Sequence, residues 1–410
     1  MEQDKEAGED GCSRGLALET RLVHAGERLA PPVGKPVATP IYATTTFTYD
    51  SMAEMDEVFA GAKQGYCYSR YSNPTVHALE TAVRSLEDGA GACAFGSGMA
   101  ALHAAFLACD LAPGSVVLAA RALYGTTTHL LQTVFKQFGV ETVLADFRDP
   151  AALRELAHAR HPRALVCETI SNPLLEVCDI EAVSEIAREV GARLVVDNTF
   201  ASPFLCGPLR HGADFSVHSA TKYLSGHGDA TGGVAVAREA EDWEKLLAAR
   251  ASVGGVLSVF EAHEIMRGVK TLGVRMERQC ANARQLAERL SDNPRVGRVH
   301  HPGLGATNGR ASVVRRVLRA PHTGALVSIR LADDSREAAF RFMDNLKLCV
   351  RLTSLGDVLT SVSHPATSSH RSLSPEDRRE MGITESLVRI SVGIEDAEDI
   401  IRDVEQALEA

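Results

Sequence analysis

The chain has 410 residues, a formal net charge of −10 and a hydrophobic fraction of 45%. This length is sufficient for two or three domains with a large buried core, so size does not exclude an enzyme. The acidic balance argues against nucleic acid or anionic lipid as a partner, because both require a basic surface.

The opening residues, MEQDKEAGEDGCSRG, contain acids and glycines but lack the apolar core of a secretory signal. No later run approaches the length of a membrane span. We therefore expect a soluble, cytoplasmic protein that has no membrane partner. The nine cysteines are scattered singly without a C-x-x-C pair, which indicates neither a disulfide framework nor a zinc site.

Residues 1–65 show little periodicity and carry prolines in APPVGKPVATP, which predicts an extended arm. From there to residue 260 we predict a large α/β domain, because short apolar runs alternate with helical patterns. This alternation is typical of βαβ units and of a mostly parallel sheet with helices on both faces. The seven candidate strands are ACAFG, SVVLAA, ETVLAD, ALVCET, RLVVDN, DFSVHS and GGVAVA.

A smaller C-terminal α/β domain is predicted over residues 261–410. It opens with one long helical pattern, FEAHEIMRGVKTLGVRMERQCANARQLAERL, which ends at the turn HHPGLG. Two strand candidates, GALVSIRL and SLVRISVG, then enclose the helix REAAFRFMDNLKL. The chain ends in the helix AEDIIRDVEQALEA.

Two charged residues follow neighbouring strand candidates of the large domain. Asp197 closes RLVVDN, and Lys222 lies just beyond DFSVHS in a segment rich in hydroxyls and glycine. Ligands of open α/β sheets bind beyond the carboxyl ends of strands, so both side chains are expected in one crevice. A lysine near a carboxylate that keeps a ring nitrogen protonated is what a pyridoxal phosphate Schiff base requires. Taken alone, Asp197 is equally well explained as a helix cap, and Lys222 as a solvated loop residue.

A phosphate-binding turn is predicted at AFGSGMAALHAAF, where Gly96, Ser97 and Gly98 lead from a strand into a helix. Free N–H groups at a helix start bind phosphate without a charged side chain. The nearby EDGAGACAFG has the spacing of a dinucleotide fingerprint, but it follows a helix and precedes a strand, which is the wrong order. In GHGD, His227 and Asp229 are too few ligands for a closed metal site, so we predict no metal.

Ten motifs occur in order along the chain: YSRYSNPT, GSGMAA, LYGTT, ETISNP, VDNTF, HSATKYLSGHGD, RGVKTLGVRMERQC, SLGD, SHPATSSH and LVRISVGIED. Together they resemble the Cys/Met-metabolism family of pyridoxal-phosphate enzymes, which includes cystathionine γ-synthases, cystathionine γ-lyases, methionine γ-lyases and sulfhydrylases. The resemblance extends from TRLVHAGE to the terminal helix. It implies a fold type I PLP-dependent transferase-like fold with a mostly parallel seven-stranded sheet.

The resemblance also implies roles for individual residues. Lys222 would form the Schiff base with pyridoxal 5'-phosphate and shuttle protons, while Asp197 would pair with the pyridine nitrogen. Tyr124 would stack on the cofactor ring and assist proton transfer at the leaving group. The phosphate would be held by Gly98, Met99, Ser219 and Thr221, and in the neighbouring subunit by Tyr68 and Arg70. The substrate carboxylate would be bound by Arg389 with help from Ser354 and Asn172, since a guanidinium matches a carboxylate with two parallel hydrogen bonds.

Because each site would need two chains, the resemblance implies a homo-oligomer, and family members are usually tetramers built as dimers of dimers. The expected reaction on its small-molecule amino-acid substrate is γ-elimination from a cystathionine-, homocysteine- or methionine-type sulfur amino acid. It would give 2-oxobutanoate, ammonia and a thiol. The alternative is γ-replacement, in which a synthase joins an O-acylhomoserine to a nucleophile. A non-catalytic protein of the same fold is a third reading, and the joint presence of the predicted acid, base and anion clamp argues against it.

Three positions depart from the family patterns. Thr353 precedes the SLG serine, where cystathionine-handling members typically have a glutamate, and this weakens the case for cystathionine as the substrate. Thr126 stands where methionine γ-lyases typically carry a cysteine, and Arg250 replaces a lysine before the GG turn. Both weaken a strict methionine γ-lyase assignment. The overall pattern, including SLGD and HGDATGG, is closest to the γ-lyases.

Overall fold

The computed structural model describes residues 34–304, 311–371 and 373–410. The chain divides into two units, Met1–Pro40 and Ile41–Ala410. The described residues of the first unit, 34–40, contain neither a helix nor a strand. The features predicted for the opening residues, including the TRLVHAGE motif, lie outside the described part of the chain. All elements named below belong to the second unit.

A seven-stranded sheet occupies the middle of the chain. Its strands are β1 (Gly91–Phe95), β2 (Val116–Ala120), β3 (Glu141–Ala145), β4 (Ala164–Glu168), β5 (Arg193–Asp197), β6 (Phe215–Ser219) and β7 (Gly233–Ala237). Their order across the sheet is β1-β7-β6-β5-β4-β2-β3. Only β7 runs against the other six strands. The seven predicted strands and the mostly parallel sheet are therefore confirmed.

Helices connect and flank these strands. They are α1 (Met52–Phe59), α2 (Pro74–Glu87), α3 (Gly98–Ala108), α4 (Gly125–His129), α5 (Pro150–Arg160), α6 (Ile180–Glu189), α7 (Ser202–Leu205), α8 (Ala240–Val253), α9 (Val259–Val269), α10 (Leu272–Ser291), α11 (Ala311–Val317), α12 (Arg336–Asn345), α13 (Pro375–Glu380) and α14 (Ala397–Leu408), with shorter helical turns at Leu130–Phe135, Pro208–His211 and Pro365–Thr367. Among the residues that the structure describes, no helix is both long and apolar enough to cross a membrane.

Local sequence signals explain where α2 begins and ends. The Asn73 side chain accepts a hydrogen bond from the Thr75 N–H, and Pro74 fits the first helical position, where no N–H partner is needed. The helix ends at Asp88, which adopts the left-handed conformation. The glycine-rich residues that follow lead into β1. They connect a helix to a strand, so the structure confirms that EDGAGACAFG is not a dinucleotide-binding turn.

A second sheet of five strands lies in the C-terminal part. It consists of β8 (Val296–His300), β9 (Leu326–Leu331), β10 (Val350–Arg351), β11 (Ser361–Ser363) and β12 (Leu387–Ser391), in the order β10-β11-β12-β9-β8. The sequence predicted β9 and β12. It missed β10 and β11, which are too short to show alternation, and β8, whose sequence VGRVH is largely polar or exposed.

The long helical pattern of the C-terminal part is divided into α9 and α10. The Gly268 carbonyl lies at the break and accepts hydrogen bonds from the Thr271 N–H, at 3.0 Å, and from the Arg275 guanidinium, at 2.8 Å. Arg275 also donates to the Thr271 hydroxyl at 2.9 Å. The prediction of one continuous helix was wrong, because these side-chain contacts satisfy backbone groups that a continuous helix would pair internally.

The described residues of the second unit form two large hydrophobic cores and a small third cluster of Ala366, Ile383 and Leu387, and α10 contributes to both large cores. Leu272 and Met276 pack in the core of the seven-stranded sheet, whereas Leu286 and Leu290 pack in the core of the five-stranded sheet. The boundaries of the three predicted domains stay predictions. Within the predicted arm, the structure places the helix α1, which begins at an N-cap formed by Ser51.

The two glycines that flank the break give a matched pair for mutation. A Cβ on Gly268 would lie 2.1 Å from the Ser225 carbonyl oxygen, whereas a Cβ on Gly273 would meet nothing within 4 Å. We expect Gly268→Ala to lower the free energy of unfolding by about 2 kcal/mol, because backbone must move. Gly273→Ala should leave it unchanged or raise it by up to about 1 kcal/mol. Urea titrations at one protein concentration measure both, and equal stability of the two variants would contradict the close packing.

Candidate active site

A cavity of about 430 Å³ lies at the carboxyl edge of the seven-stranded sheet. Segments that follow β4, β5 and β6, the start of α3 and the central strand β12 of the second sheet all contribute to its wall. The predicted site residues that line it are Gly98, Met99, Tyr124, Asn172, Asp197, Ser219, Thr221, Lys222 and Arg389. The cavity thus brings together residues that are separated by up to about three hundred positions in the sequence, as is usual for a ligand site of this fold class.

Lys222 extends from the segment after β6 toward the second sheet. Its Nζ donates a hydrogen bond to the Ser354 hydroxyl at 2.7 Å, which connects Ser354 to the site although Ser354 is not part of the cavity wall. Burial, followed by the positive charge of Arg389, lowers the pKa of the Lys222 amine from its ordinary value. The amine is therefore more easily deprotonated than a lysine in water.

Asp197 ends β5 and is half-buried at the cavity wall. Burial raises the pKa of its carboxyl group, while hydrogen bonds from Thr199 oppose this effect. One of these bonds is the 3.0 Å contact from the Thr199 N–H, and the Thr199 hydroxyl accepts the Ser219 N–H at 2.8 Å. Thr199 therefore ties together the ends of β5 and β6. Its role was missed, although a threonine two positions after a strand-ending aspartate is a recognisable turn signal.

The predicted phosphate-binding turn, at the start of α3, also lines the cavity. Ser97 caps α3 by accepting the Ala100 N–H at 3.1 Å, and the helix begins at Gly98. A Cβ on Gly98 would lie 2.7 Å from the Ser219 Cβ. The Thr221 hydroxyl accepts the Gly232 N–H at 3.0 Å, which fixes the loop that faces the helix start. The result is a narrow anion-binding niche, because the first N–H groups of a helix have no partner within the helix.

Arg389 enters the cavity from the central strand of the second sheet. Its Nη1 donates to the Asn172 Oδ1 at 2.8 Å, and its Nη2 donates to the Ser354 carbonyl at 3.4 Å. Burial lowers the pKa of the guanidinium to about 10, so it is still charged at neutral pH. Its Nε is buried and has no hydrogen-bond partner among the described residues. A buried cation with only neutral partners is suited to bind an anionic ligand.

Tyr124 lines the cavity and is 38% exposed, whereas Tyr68 and Arg70 do not line the cavity. The Arg70 guanidinium lies 4.7 Å from the ring centroid of Tyr71 and donates to the Ala251 carbonyl. A single chain therefore does not bring Tyr68 and Arg70 to the other predicted site residues. Their role in a neighbouring subunit stays a prediction.

The three departures from the family patterns occupy different places. Thr353 lines the cavity, while Thr126 and Arg250 do not. Arg250 is buried, forms an ion pair with Glu80 at 2.5 Å and donates to the Tyr71 carbonyl. Thr353 is thus the departure that bears directly on what the cavity can hold.

The side chains of the GHGD turn hold their own loop. The Nδ1 of His227 donates to the Ser225 carbonyl at 2.7 Å, and the Ser225 hydroxyl donates to Asp229 at 3.2 Å. Within the described ranges, His, Cys, Asp and Glu do not form a group of three that could bind a metal ion. These contacts give both residues a structural role in the turn.

Sequence reasoning missed several residues of the cavity wall. They are Glu168, Ile170, Thr199, Phe200, Leu355, Ser368 and Ser369. Glu168 had a detectable signal, because it ends the strand ALVCE as Asp197 ends RLVVD. The two serines come from a loop whose place in the fold no local pattern indicates.

Comparisons with known proteins agree with this geometry. The family model "Cys/Met metabolism PLP-dependent enzyme" matches residues 19–409. The L-methionine gamma-lyase of Pseudomonas putida is 42% identical over 98% of this chain and 99% of its own length. The O-succinylhomoserine sulfhydrylase of Pseudomonas aeruginosa is 38% identical over the full length of both chains. The crystal structure of cystathionine gamma synthase from Xanthomonas oryzae pv. oryzae in complex with aminoacrylate and cysteine is 36% identical, with a TM-score of 0.85 over 91% of this chain and 93% of that chain.

The cavity fits pyridoxal phosphate in its shape and in its donors. The helix start at Gly98 offers N–H groups to a phosphate. Ser219 lies so close to Gly98 that no side chain fits between them. At the other end, Asp197 forms no ion pair within the described part of the chain, and a protonated ring nitrogen would provide one. Between them, the Lys222 amine is free to be deprotonated and to react with an aldehyde.

Gly98 provides a test of this fit. Gly98→Ala should raise the dissociation constant of pyridoxal phosphate at least about tenfold, because overpacking of about 1–3 kcal/mol falls on the niche itself. The measurement is a titration of the apoenzyme with the cofactor, followed by visible absorption. Gly273→Ala is the control and should keep the original affinity. Equal affinities of the two variants would contradict the placement of the phosphate.

Proposed function

Because the chain belongs to the family of Cys/Met metabolism PLP-dependent enzymes, we propose that it catalyses γ-elimination from a sulfur amino acid of the methionine, homocysteine or cystathionine type. The products are 2-oxobutanoate, ammonia and a thiol. One observation carries the proposal: a single cavity contains a lysine with a lowered pKa, the Asp197 carboxyl group and a buried guanidinium that has no carboxylate partner among the described residues. The 42% identity to an L-methionine gamma-lyase favours elimination over replacement.

The substrate carboxylate binds at Arg389. Asn172 already contacts the guanidinium at 2.8 Å and holds it in position, and Ser354 supports it from the other side through its carbonyl. Both terminal nitrogens of the guanidinium point into hydrogen bonds with neutral oxygens, so an incoming carboxylate supplies the missing negative charge. This contact orients the Cα–H bond of the substrate toward the lysine.

Proton transfer at Cα is the task of Lys222. Bound pyridoxal phosphate supplies an electron-accepting ring that stabilises negative charge at the substrate Cα. Asp197 keeps the ring nitrogen protonated by accepting its N–H, and so maintains the electron demand of the ring. Lys222 takes the Cα proton, and its lowered pKa makes the neutral amine easier to form than in a lysine exposed to water. The Ser354 hydroxyl, 2.7 Å from Nζ, orients the amine.

Loss of the γ substituent needs a second deprotonation, at Cβ, and a proton for the leaving sulfur. Lys222 would first pass the Cα proton on to the bound cofactor, and the amine, neutral again, would then take the Cβ proton. Tyr124, an exposed residue of the cavity wall, would donate the proton to the leaving thiolate. Its aromatic ring would also pack against the cofactor ring, as the family resemblance implies.

Two chains would be needed for a complete site. Tyr68 and Arg70 lie outside the cavity of their own chain and are partly exposed, with Tyr68 at 38%. We assign them to the phosphate of a neighbouring subunit in a homo-oligomer, which agrees with the tetramer that the family resemblance implies. Their aromatic and guanidinium groups contact each other at 5.4 Å, so they would act as one preformed unit.

The charges of the cavity favour a short, uncharged γ substituent. The charged lining residues of the described chain are Glu168, Asp197, Lys222 and Arg389, and each already has a partner or a proposed task. None is left for the distal ammonium or carboxylate of cystathionine. Thr353, which also lines the cavity, is neutral. Methionine and homocysteine therefore fit the cavity better than cystathionine does.

Substitution of Thr353 tests this selectivity. Thr353→Glu should raise the ratio of kcat/KM for cystathionine to that for methionine at least about tenfold, because one charge-assisted hydrogen bond contributes about 1.5–3 kcal/mol. Thr353→Gln is the matched control, since it has nearly the same size without the charge, and should change the ratio little. A similar change in both variants would show that size, not charge, determines the choice.

The choice between elimination and replacement can be measured directly. The purified protein is given L-methionine, and separately O-acetyl-L-homoserine with and without a thiol. Release of 2-oxobutanoate without thiol is expected, and efficient thioether formation at the expense of 2-oxobutanoate would instead favour the replacement reaction of the sulfhydrylase type. The 38% identity to an O-succinylhomoserine sulfhydrylase is the reason to include this arm.

Lys222 has its own controls in the same experiment. Lys222→Ala should lose product formation and the visible band of the lysine-bound cofactor, while Lys270→Ala, at an exposed helix end, should keep both. Borohydride reduction followed by peptide mapping should label Lys222. Labelling of a different lysine would overturn the proposed site.

A further inference from the structure

Glu168 is a buried carboxylate of the cavity wall that the proposed reaction does not use. It ends β4, and the register of the parallel pair sets it directly beside Asp197 at the end of β5. It is 7% exposed and lines the cavity. Two carboxylates side by side at one sheet edge repel each other, so a carboxylate at this position needs specific stabilisation.

Both oxygens of Glu168 accept hydrogen bonds from backbone N–H groups of different segments. Oε1 accepts the Tyr124 N–H at 2.6 Å, and Oε2 accepts the Asn172 N–H at 3.0 Å. Tyr124 precedes the short helix α4 and has no side-chain cap of its own. Asn172 in turn holds Arg389 at 2.8 Å. One carboxylate therefore connects the segment of the ring-stacking tyrosine with the segment of the carboxylate clamp.

We propose that Glu168 is a positioning residue that aligns Tyr124 and the Asn172–Arg389 clamp for the substrate. The inference rests on the proposed function for the tasks of those residues. Glu168 itself touches neither reacting carbon. It acts by fixing two backbone segments from one rigid strand end, so that the substrate carboxylate and the leaving group are held at a set separation.

The chemistry of a carboxylate suits this task better than that of an amide. A carboxylate accepts hydrogen bonds at both oxygens, whereas a glutamine accepts at one oxygen and presents N–H groups at the other position. In Glu168→Gln, the amide oxygen would therefore keep the hydrogen bond from one of the two backbone N–H groups. The side-chain NH2 group would face the other N–H group, and two donors cannot form a hydrogen bond. Because the site is buried, that mismatch is not relieved by water.

The test uses the holoenzyme and two unreactive probes, glycine and methylamine, which differ by the carboxylate. Binding of each is followed by the change in the visible absorption of the bound cofactor. In Glu168→Gln, the dissociation constant of glycine should rise at least about tenfold while that of methylamine changes little, since loss of a buried hydrogen bond is worth about one factor of ten. With L-methionine, KM should rise and kcat should fall, because the clamp and Tyr124 are both displaced.

Asp214→Asn is the matched control. Asp214 is another buried carboxylate of the same sheet that accepts a backbone N–H, from Leu194 at 2.7 Å, but it precedes β6 and lies at the opposite edge. Its substitution should lower thermal stability without changing the glycine-to-methylamine ratio, KM or kcat.

Three outcomes decide the matter. A Glu168→Gln enzyme that loses stability like Asp214→Asn but keeps the affinity for glycine would overturn the positioning role. If that variant does not fold, Glu168→Asp is used instead, because its side chain is one methylene shorter and keeps the charge. A Glu168→Asp enzyme that binds glycine as tightly as the original protein would also overturn the proposal. Glycine binding does not depend on whether the enzyme eliminates or replaces, and absence of any cofactor band in the original protein would instead contradict the proposed function.

Discussion

The active site depends on the register of three parallel strands. The pairing of β4 with β5 sets Glu168 beside Asp197, and the pairing of β5 with β6 sets Asp197 beside Val217, two residues before Ser219. A shift of one residue in any of these pairs would turn the carboxylates to the opposite face of the sheet. The buried, almost entirely apolar interiors of the strands determine this register, so the core that stabilises the fold also positions the charges that serve the chemistry.

The C-terminal part contributes to this edge through one strand of the second sheet and two loops, one before and one after β11. β12 carries Arg389, and the segment before β11 carries Ser354. Two contacts join them to the first sheet: the Arg389–Asn172 hydrogen bond at 2.8 Å and the Lys222–Ser354 hydrogen bond at 2.7 Å. Because α10 packs in both hydrophobic cores, the two sheets are supported by one continuous helix behind the site. The distance between the lysine and the clamp is thus set by packing outside the cavity.

Sequence reasoning succeeded where a pattern is local and failed where the determinant is a contact. The seven strands of the first sheet are short apolar runs bounded by turns, so periodicity is sufficient to find them. The division of the long helix at Thr271 could not be predicted, because it depends on Arg275 reaching the Gly268 carbonyl. In the same way, Asp197 and Lys222 stand out by position in the sequence, whereas the importance of Glu168 comes from the two backbone N–H groups that it accepts.

Within the site, the pKa values of the acids are raised and that of the lysine is lowered. A bound substrate would offset part of the shift of the lysine. Burial raises the pKa values of the Asp197 and Glu168 carboxyl groups and lowers that of the Lys222 amine. After burial, the charge of Arg389 is what lowers the pKa of Lys222. A substrate carboxylate on Arg389 offsets that charge, so the pKa of the amine rises once the clamp is filled. In the proposed reaction, the Lys222 amine would thus be more easily deprotonated while the clamp is empty, and a stronger base once the substrate carboxylate is bound.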